Sequence, residues 1–127
     1  MISPTGLINP RKEDKHGSGA FASGRGTRSH YGLDMICVPG QSIVAPHDGL
    51  VKRTMIAYPD TQKFKGIELV DDTCISQLLY VSIKSGVIGK EVLKGDVIGY
   101  AQKISDRYEG ITEHIHWQIY YNPILFL

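Results

Sequence analysis

The sequence predicts an all-β fold, with a single antiparallel β-sheet domain over residues 30–127 and a loop-rich arm over residues 1–29 packed on it. Three observations support this prediction. After His30 the chain consists of short apolar or alternating runs rich in β-branched and aromatic residues, turn-forming residues separate these runs, and no long segment keeps the 3.6-residue apolar period of a helix. With 127 residues and 42% apolar content, the chain can form one hydrophobic core.

The amino-terminal arm is predicted from composition. Between Pro4 and Ser29 the chain is polar, and glycines recur at positions 17, 19, 24 and 26. Closely spaced glycines favour irregular backbone that is ordered by the surface on which it packs. We therefore expect no core element in this segment.

The strands are predicted from runs of apolar or alternating residues. Pro-Gly, Asp-Gly, Pro-Asp, Asp-Asp and Gly-Asp pairs lie between the runs, at spacings typical of antiparallel sheets. No internal repeat is present. The predicted strands are DMICV, SIVA, GLVKRTMIAY, GIELV, SQLLYVSI, DVIGYA and HIHWQIYY.

Charge and cysteine content exclude several classes of protein. The chain has 14 basic and 13 acidic residues, so it lacks the positive charge that nucleic acid binding requires. It has neither an apolar run of the roughly 20 residues that span a membrane nor a signal peptide, so we expect synthesis in the cytoplasm. Cys37 and Cys74 are expected to be free thiols, and a four-cysteine zinc site is excluded.

The segment HYGLD places a histidine and a carboxylate on one face of a predicted strand. Side chains alternate along a strand, so His30, Gly32 and Asp34 point one way while the intervening apolar residues point the other. Gly32 leaves room for an ion between the two polar groups.

The segment HIH repeats this arrangement near the carboxyl end. His114 and His116 share a face, and the alternating apolar residues after them are expected to be buried. Two imidazoles and one carboxylate suit zinc and leave a position for water, as in catalytic sites. From the residues alone, the alternative is that these are ordinary strand histidines satisfied by hydrogen bonds or solvent.

Several motifs in order resemble one known family. HYGLD and HIH are similar to the HxGxD and HxH motifs of the lysostaphin/LytM-type zinc endopeptidases, which cut peptide cross-links of bacterial cell walls. VPGQSIVAPHDGLV, GIELV and EVLKGDVIGYA resemble the strands and turns of that family, over a stretch from about Asp14 to the carboxyl terminus. DKHGSGAF, SHYGLD and YEGITEHIH look most like the leukocyte cell-derived chemotaxin branch, and we expect a bacterial or phage member.

The resemblance implies a role for each polar residue. It assigns His30, Asp34 and His116 as ligands of one zinc ion and His114 as the catalytic histidine. It also implies peptidoglycan peptides as the partner. Because no signal peptide is present, delivery to the cell wall by a phage tail or injection device is expected.

One position departs from the pattern of the active peptidases. Their second catalytic histidine lies in a YAHL strand, and the matching stretch here has Ser82 in its place. A hydroxyl cannot accept a proton near neutral pH as imidazole can, so cleavage is expected to be weak or lost. Tyr80 and His16 are the candidates to replace the missing histidine, although His16 is expected mainly to order the arm.

Two rival interpretations stay open at this point. The chain is either a working endopeptidase with a substitute group, or a non-catalytic structural or recognition module that zinc stabilises, for example within a phage tail. Among the other candidates, His47 is expected in a solvated turn and Cys37 is expected to be buried away from the metal face.

Overall fold

The computed structural model describes residues 1–6 and 30–121 of the chain. Within these ranges the regular structure is almost entirely β, with no α-helix and one short 3-10 helix at Ile104–Asp106. The all-β prediction is therefore confirmed. The strands are β1 (His30–Ile36), β2 (Ser42–Val44), β3 (Gly49–Tyr58), β4 (Thr61–Val70), β5 (Cys74–Leu79), β6 (Val81–Ile83), β7 (Glu91–Val92), β8 (Val97–Ala101) and β9 (His114–Tyr121).

The described strands form two antiparallel sheets. The larger sheet has the order β1-β9-β5-β4-β3-β7, and the smaller sheet has the order β2-β8-β6. Strand β9 lies between β1 and β5, although more than 75 residues separate it from β1 along the chain. This long-range pairing brings the HYGLD and HIH segments side by side.

The core lies between the two sheets and follows the predicted alternation. In β1, Met35 is buried in the core and Leu33 packs against it, while in β9 the buried apolar residues are Ile115, Trp117 and Ile119. Ile43 and Ile98 of the smaller sheet belong to the same apolar cluster. The opposite face of β1 and β9 is thus left for their polar residues.

The predicted run SQLLYVSI is divided between the two sheets at Tyr80. Tyr80 has a φ of 67°, and no other non-glycine residue of the described chain has a positive φ. Its amide donates to the Lys65 carbonyl and its carbonyl accepts from the Gln102 amide, each at 2.8 Å. These bonds hold the backbone in a conformation that bulky residues rarely adopt, and β5 and β6 thereby enter different sheets.

Gly99 of β8 lies at a close contact within the smaller sheet and with β4 of the larger one. A Cβ atom added there would lie 2.5 Å from the Ser82 carbonyl oxygen and 3.0 Å from Cδ1 of Ile67, which belongs to β4. The contact with Ser82 is made by its backbone carbonyl oxygen, so rotation of a side chain cannot relieve the crowding.

Gly99→Ala is therefore expected to destabilise the domain by about 1–3 kcal/mol, as for other overpacked cores. Urea denaturation followed by tryptophan fluorescence would measure the change. The control is Lys52→Ala, which adds no group to the core because Lys52 is exposed, and which is expected to cost less than about 0.5 kcal/mol. Equal midpoints for the wild type and Gly99→Ala would show that this contact is looser than the structure indicates.

The first six residues pack against β2 and its flanking turn. The Ile2 amide donates to the Pro46 carbonyl, and the Val44 amide donates to the Pro4 carbonyl. The rest of the predicted arm, residues 7–29, lies outside the described residues, so the boundary at residue 30 stays a prediction. In the described ranges, no helix has the length and apolar character needed to cross a membrane.

Both cysteines are free, as predicted, and both are buried, although burial was predicted only for Cys37. Burial raises the pKa of the Cys37 thiol to about 11, and the nearby Glu113 carboxylate adds to the shift. Burial likewise raises the pKa of Cys74. Both thiols are therefore weak nucleophiles near neutral pH.

Candidate metal and catalytic site

Asp34 and His116 face each other across β1 and β9. They are paired directly in the antiparallel register, so their side chains lie on the same face of the sheet. Asp34 Oδ1 lies 2.6 Å from His116 Nδ1. Asp34 is 7% exposed and His116 is 4% exposed. The register thus places the carboxylate of one motif beside the second histidine of the other.

His114 completes the described part of this cluster. Its Nε2 atom lies 3.6 Å from Asp34 Oδ2, and its Nδ1 atom lies 2.6 Å from the Thr112 carbonyl oxygen. A carbonyl oxygen only accepts, so Nδ1 carries the proton of the neutral ring and Nε2 carries the lone pair. His114 is therefore held with a basic nitrogen directed towards the carboxylate.

Gln118 extends the polar face on the other side of His116. The two residues are separated by one position in β9, and His116 Nε2 lies 3.0 Å from Gln118 Oε1. The Gln118 side-chain amide donates to the hydroxyl of Tyr120. Gln118 belongs to none of the sequence motifs, although its even spacing from His116 places it on the same face of the strand.

A further polar row crosses the sheet from Gln118. Gln118 is paired with Gln77, Gln77 with Glu68, and Glu68 with Arg53. The Gln77 amide donates to Glu68 Oε2 at 2.9 Å, and Arg53 donates to both carboxylate oxygens. Burial opposes ionisation of Glu68, but the bonds from Arg53 and Gln77 outweigh it and lower the pKa of this carboxyl.

A cavity of about 540 Å³ lies along this row, on the sheet face that carries the two site histidines. Its walls combine apolar strand residues with carboxylate and amide groups, so the described surface beside the cluster is concave and partly polar. It is lined by Glu68, Val70, Asp71, Cys74, Ile75, Gln77, Tyr120 and Tyr121.

Two of the predicted site residues are described only in part or not at all. His30 begins β1, four residues before Asp34, and its backbone is paired with that of Tyr120 in β9. The side chain of His30 lies outside the described residues. His16 also lies outside them. The structure therefore leaves the third predicted ligand and the predicted role of His16 untested.

Tyr80 contacts the cluster, whereas Ser82 bonds to the smaller sheet. The Tyr80 ring meets the ring of His114 edge to face at a centroid distance of 5.6 Å. The Ser82 hydroxyl donates to the Tyr100 carbonyl at 3.2 Å. Of the two residues in this stretch that the sequence highlighted, Tyr80 is the one with a contact to a site histidine.

An aromatic wall formed by Tyr58, Tyr80, Tyr108 and Arg107 stands behind the Tyr80–His114 contact. The Tyr58 hydroxyl donates to that of Tyr80 at 3.0 Å, and the Arg107 guanidinium lies 3.6 Å above the Tyr58 ring centroid. Arg107 is also bonded to Asp60 at 3.1 Å. Burial raises the pKa of Tyr58, and its bonds with Tyr108 and Tyr80 add to this shift. No sequence motif indicated this wall, because three separate loops and strands build it.

His47 is buried, so its prediction as a solvated turn residue is wrong. Its Nε2 atom lies 2.7 Å from Ser76 Oγ, and its Nδ1 atom lies 2.8 Å from the Asp48 carbonyl oxygen. Trp117 Nε1 donates to the same Ser76 oxygen at 3.1 Å. Ser76 is 0% exposed, so this serine–histidine pair has no access to substrate and serves packing. The turn residues around His47 hid this long-range bond from sequence analysis.

The donor types at Asp34 and His116 fit zinc. Zinc in proteins is bound by imidazole nitrogen and carboxylate oxygen, and a carboxylate buried this deeply needs positive charge close to it. Within residues 1–6 and 30–121, no three histidine, cysteine or acidic side chains are placed to hold a metal ion together. The set predicted from the sequence includes His30, whose side chain is not among those described.

Comparison with known proteins decides the family. The sequence of residues 28–124 matches peptidase family M23. The chain belongs to peptidase family M23. This confirms the resemblance to lysostaphin/LytM-type proteins and makes the chain a peptidase-like domain. The family is typically zinc-dependent.

Curated relatives of this M23 domain include leukocyte cell-derived chemotaxin-2 from Bos taurus and from Mus musculus. The bovine protein is 26% identical and the mouse protein 27% identical, each over 104 residues. These alignments cover 81% of the chain and 68% of each relative. The alignments thus agree with the resemblance to the chemotaxin branch that the motifs indicated.

Solved structures confirm the fold of the M23 domain. Csd3 from Helicobacter pylori has a TM-score of 0.60 at 24% identity, and lysostaphin has a TM-score of 0.57 at 18% identity. The matches cover 95% and 89% of the present chain. They cover only 33% of the Csd3 chain and 42% of the lysostaphin chain, so the comparison concerns one part of each larger protein.

Proposed function

We propose that this M23 domain binds one zinc ion through His30, Asp34 and His116 and acts on the cross-link peptides of bacterial peptidoglycan. The observation that supports this proposal best is the buried Asp34 carboxylate, which lies between His114 and His116. When bound, zinc would polarise the scissile carbonyl and make water more acidic.

His114 is proposed as the general base. Its Nδ1 proton is bonded to the Thr112 carbonyl, so Nε2 is the nitrogen that can accept a proton from the attacking water. The same atom can return the proton to the leaving amine. Because the ring is 3% exposed and its orientation is fixed on both sides, little reorganisation is needed for these transfers.

Tyr80 is proposed as the substitute for the missing second histidine. Its ring contacts His114, and its hydroxyl accepts a hydrogen bond from Tyr58. A tyrosine hydroxyl can donate to a developing oxyanion, although near neutral pH it cannot accept a proton as imidazole does. We therefore propose slow cleavage, below that of a peptidase with both histidines.

Digestion of purified sacculi by the zinc-loaded protein tests this proposal. The expected result is a slow release of new amino termini that stops on addition of a chelator and resumes when zinc is restored. Asp34→Ala under the same conditions is the matched control, because it removes a proposed ligand. Release that is equally fast with this variant would contradict the proposal.

A non-catalytic role is the second candidate, and the bonding of Ser82 favours it. The Ser82 hydroxyl is engaged by a backbone carbonyl of β8, as in a structural contact. In that case zinc would stabilise a recognition or structural module, for instance in a phage tail or injection device. A large fall in melting temperature on metal removal, together with no turnover on any cross-bridge peptide, would establish this candidate.

A further inference from the structure

We propose that Arg107 is a positioning residue for the candidate site. By stacking on Tyr58 it holds that ring against Tyr80, and so it keeps the Tyr80 ring beside His114. The consequence for cleavage rests on the proposed function, in which Tyr80 substitutes for the missing histidine. None of the sequence motifs contains Arg107.

The backbone of Tyr80 is fixed by hydrogen bonds that leave its ring free to turn. Bonds with Lys65 and Gln102, each of 2.8 Å, hold the backbone at a φ of 67°. They set the direction in which the Cβ atom leaves the chain. Rotation about the side-chain bonds has several staggered minima, and the surroundings decide among them. The place of the ring beside His114 therefore depends on the groups that pack around it.

Tyr58 packs against the Tyr80 ring. The two rings are stacked, with centroids 5.9 Å apart and an angle of 18° between their planes. Their hydroxyl oxygens lie 3.0 Å apart. A shift of Tyr58 would thus free the Tyr80 ring to move away from His114, whose ring centroid lies 5.6 Å from that of Tyr80.

The guanidinium of Arg107 holds Tyr58 in this place. Its central carbon lies 3.6 Å from the Tyr58 ring centroid, which allows flat stacking with cation–π attraction. Nη1 donates to Asp60 at 3.1 Å, and Nε donates to the Tyr108 hydroxyl at 3.2 Å. The bond from Arg107 lowers the pKa of Asp60, so this partner is a carboxylate near neutral pH.

The Arg107 contacts join two segments that are distant in the sequence. Tyr58 ends β3 and Asp60 lies in the turn that follows, whereas Arg107 comes directly after the 3-10 helix. Asp60 and Arg107 are 47 residues apart. The side chain of Arg107 is only 26% exposed, so water shields its attraction to the Tyr58 ring less than at an open surface.

Lys63 provides a matched control for Arg107. Its ammonium group lies 3.2 Å from Asp106 and 5.5 Å from the Phe64 ring centroid. It therefore joins β4 to the 3-10 helix by the same kinds of interaction, an ion pair and a cation–π contact. Neither of these contacts involves Tyr58 or Tyr80. Lys63→Met thus removes a similar cation near the same two segments without changing the partner of Tyr58.

Nuclear magnetic resonance tests the position of the ring directly. In wild type with zinc added, a nuclear Overhauser effect is expected between the ring protons of Tyr80 and His114, and its absence would overturn the inference. In Arg107→Met, which has an apolar chain without the guanidinium, the effect is expected to be lost. In Lys63→Met it is expected to equal that of wild type.

Kinetics on a soluble cross-bridge peptide give the second readout. Arg107→Met is expected to lower kcat about 10- to 100-fold with KM within about twofold of wild type, because misplacing a reacting group by about 1 Å can cost this much. Its zinc content is expected to be unchanged, and Lys63→Met is expected to match the wild-type kcat within about twofold. A merely structural contact would lower the melting temperature and leave both kcat and the Overhauser effect unchanged.

The outcomes separate this inference from the proposed function. If wild type cleaves no peptide, the proposed cleavage is wrong, and the Overhauser effect still decides whether Arg107 positions the ring. If wild type cleaves and Arg107→Met keeps both kcat and the Overhauser effect, the inference is wrong while the proposed function stands. In an active protein, a change in only one of the two readouts would also overturn the inference.

Arg107→Lys decides the matter if Arg107→Met fails to fold. Lysine keeps the positive charge and can pair with Asp60, but it lacks the flat guanidinium that stacks on Tyr58. Loss of the Overhauser effect in Arg107→Lys would therefore support the inference. An unchanged effect would show that stacking on Tyr58 does not position the ring, and would overturn it.

Discussion

Asp34→Ala is expected to abolish zinc binding, whereas His114→Ala is expected to leave zinc bound and to remove turnover. Asp34 faces the proposed ligand His116 directly. Its replacement by alanine removes a donor atom, so the loss of zinc affinity is expected to exceed the roughly 10- to 100-fold loss that follows the removal of a ligand-orienting partner. His116→Ala is expected to behave like Asp34→Ala. Elemental analysis of the three purified variants would give their metal content.

The His114 variant tests the division of roles most sharply. Loss of a general base is expected to slow cleavage by about 100- to 10,000-fold with one zinc ion still bound per chain. Ser76→Ala is a suitable control for non-specific damage, since Ser76 is buried and bonded to His47 and Trp117 rather than to the site. Equal loss of metal in all three site variants would overturn the assignment of His114 as a residue that does not bind zinc.

Ser82→His is expected to raise the rate of peptide cleavage by at least about 100-fold, since general acid–base groups contribute factors of this size. The change introduces the histidine that the resemblance to active peptidases assigns to this position. Tyr80, two residues earlier in the chain, already contacts His114. Release of amino termini from sacculi, measured at equal zinc content, would report the gain.

Ser82→Ala separates the effect of the new imidazole from that of losing the serine. It removes the bond to the Tyr100 carbonyl, which is worth about 0.5–1.5 kcal/mol of stability, and adds no titratable group. Its cleavage rate is expected to equal that of wild type. If Ser82→His is no faster than Ser82→Ala, another feature of the domain limits cleavage, and the non-catalytic candidate gains support.

Much of the candidate site could be predicted from the alternation of side chains along strands. This two-residue period correctly placed Ile115 and Trp117 in the core and left His116 on the opposite face. It could not show which residues of distant strands lie side by side. The contact of Asp34 with His116 depends on a register between segments 82 residues apart, and only the match of ordered motifs to a family indicated it.

The remaining features depend on contacts that carry no local signal. The bond between His47 and Ser76 joins a turn to a strand 29 residues away, so the turn chemistry around His47 suggested solvent instead. The break at Tyr80 was hidden because leucine and β-branched residues surround it and because a left-handed conformation is expected of glycine or asparagine. Arg107 stacks on Tyr58 although the two residues are far apart in the sequence and no motif contains both.

The backbone conformation of Tyr80 also limits which residues this position can accept over evolutionary time. Glycine would adopt a φ of 67° without penalty, whereas for tyrosine such a conformation costs on the order of 1–3 kcal/mol. Yet glycine has no ring to place against His114. Glycine, the residue that suits this backbone best, would therefore remove the aromatic ring beside His114. Selection for a more stable protein and selection for an ordered site thus act in opposite directions at Tyr80.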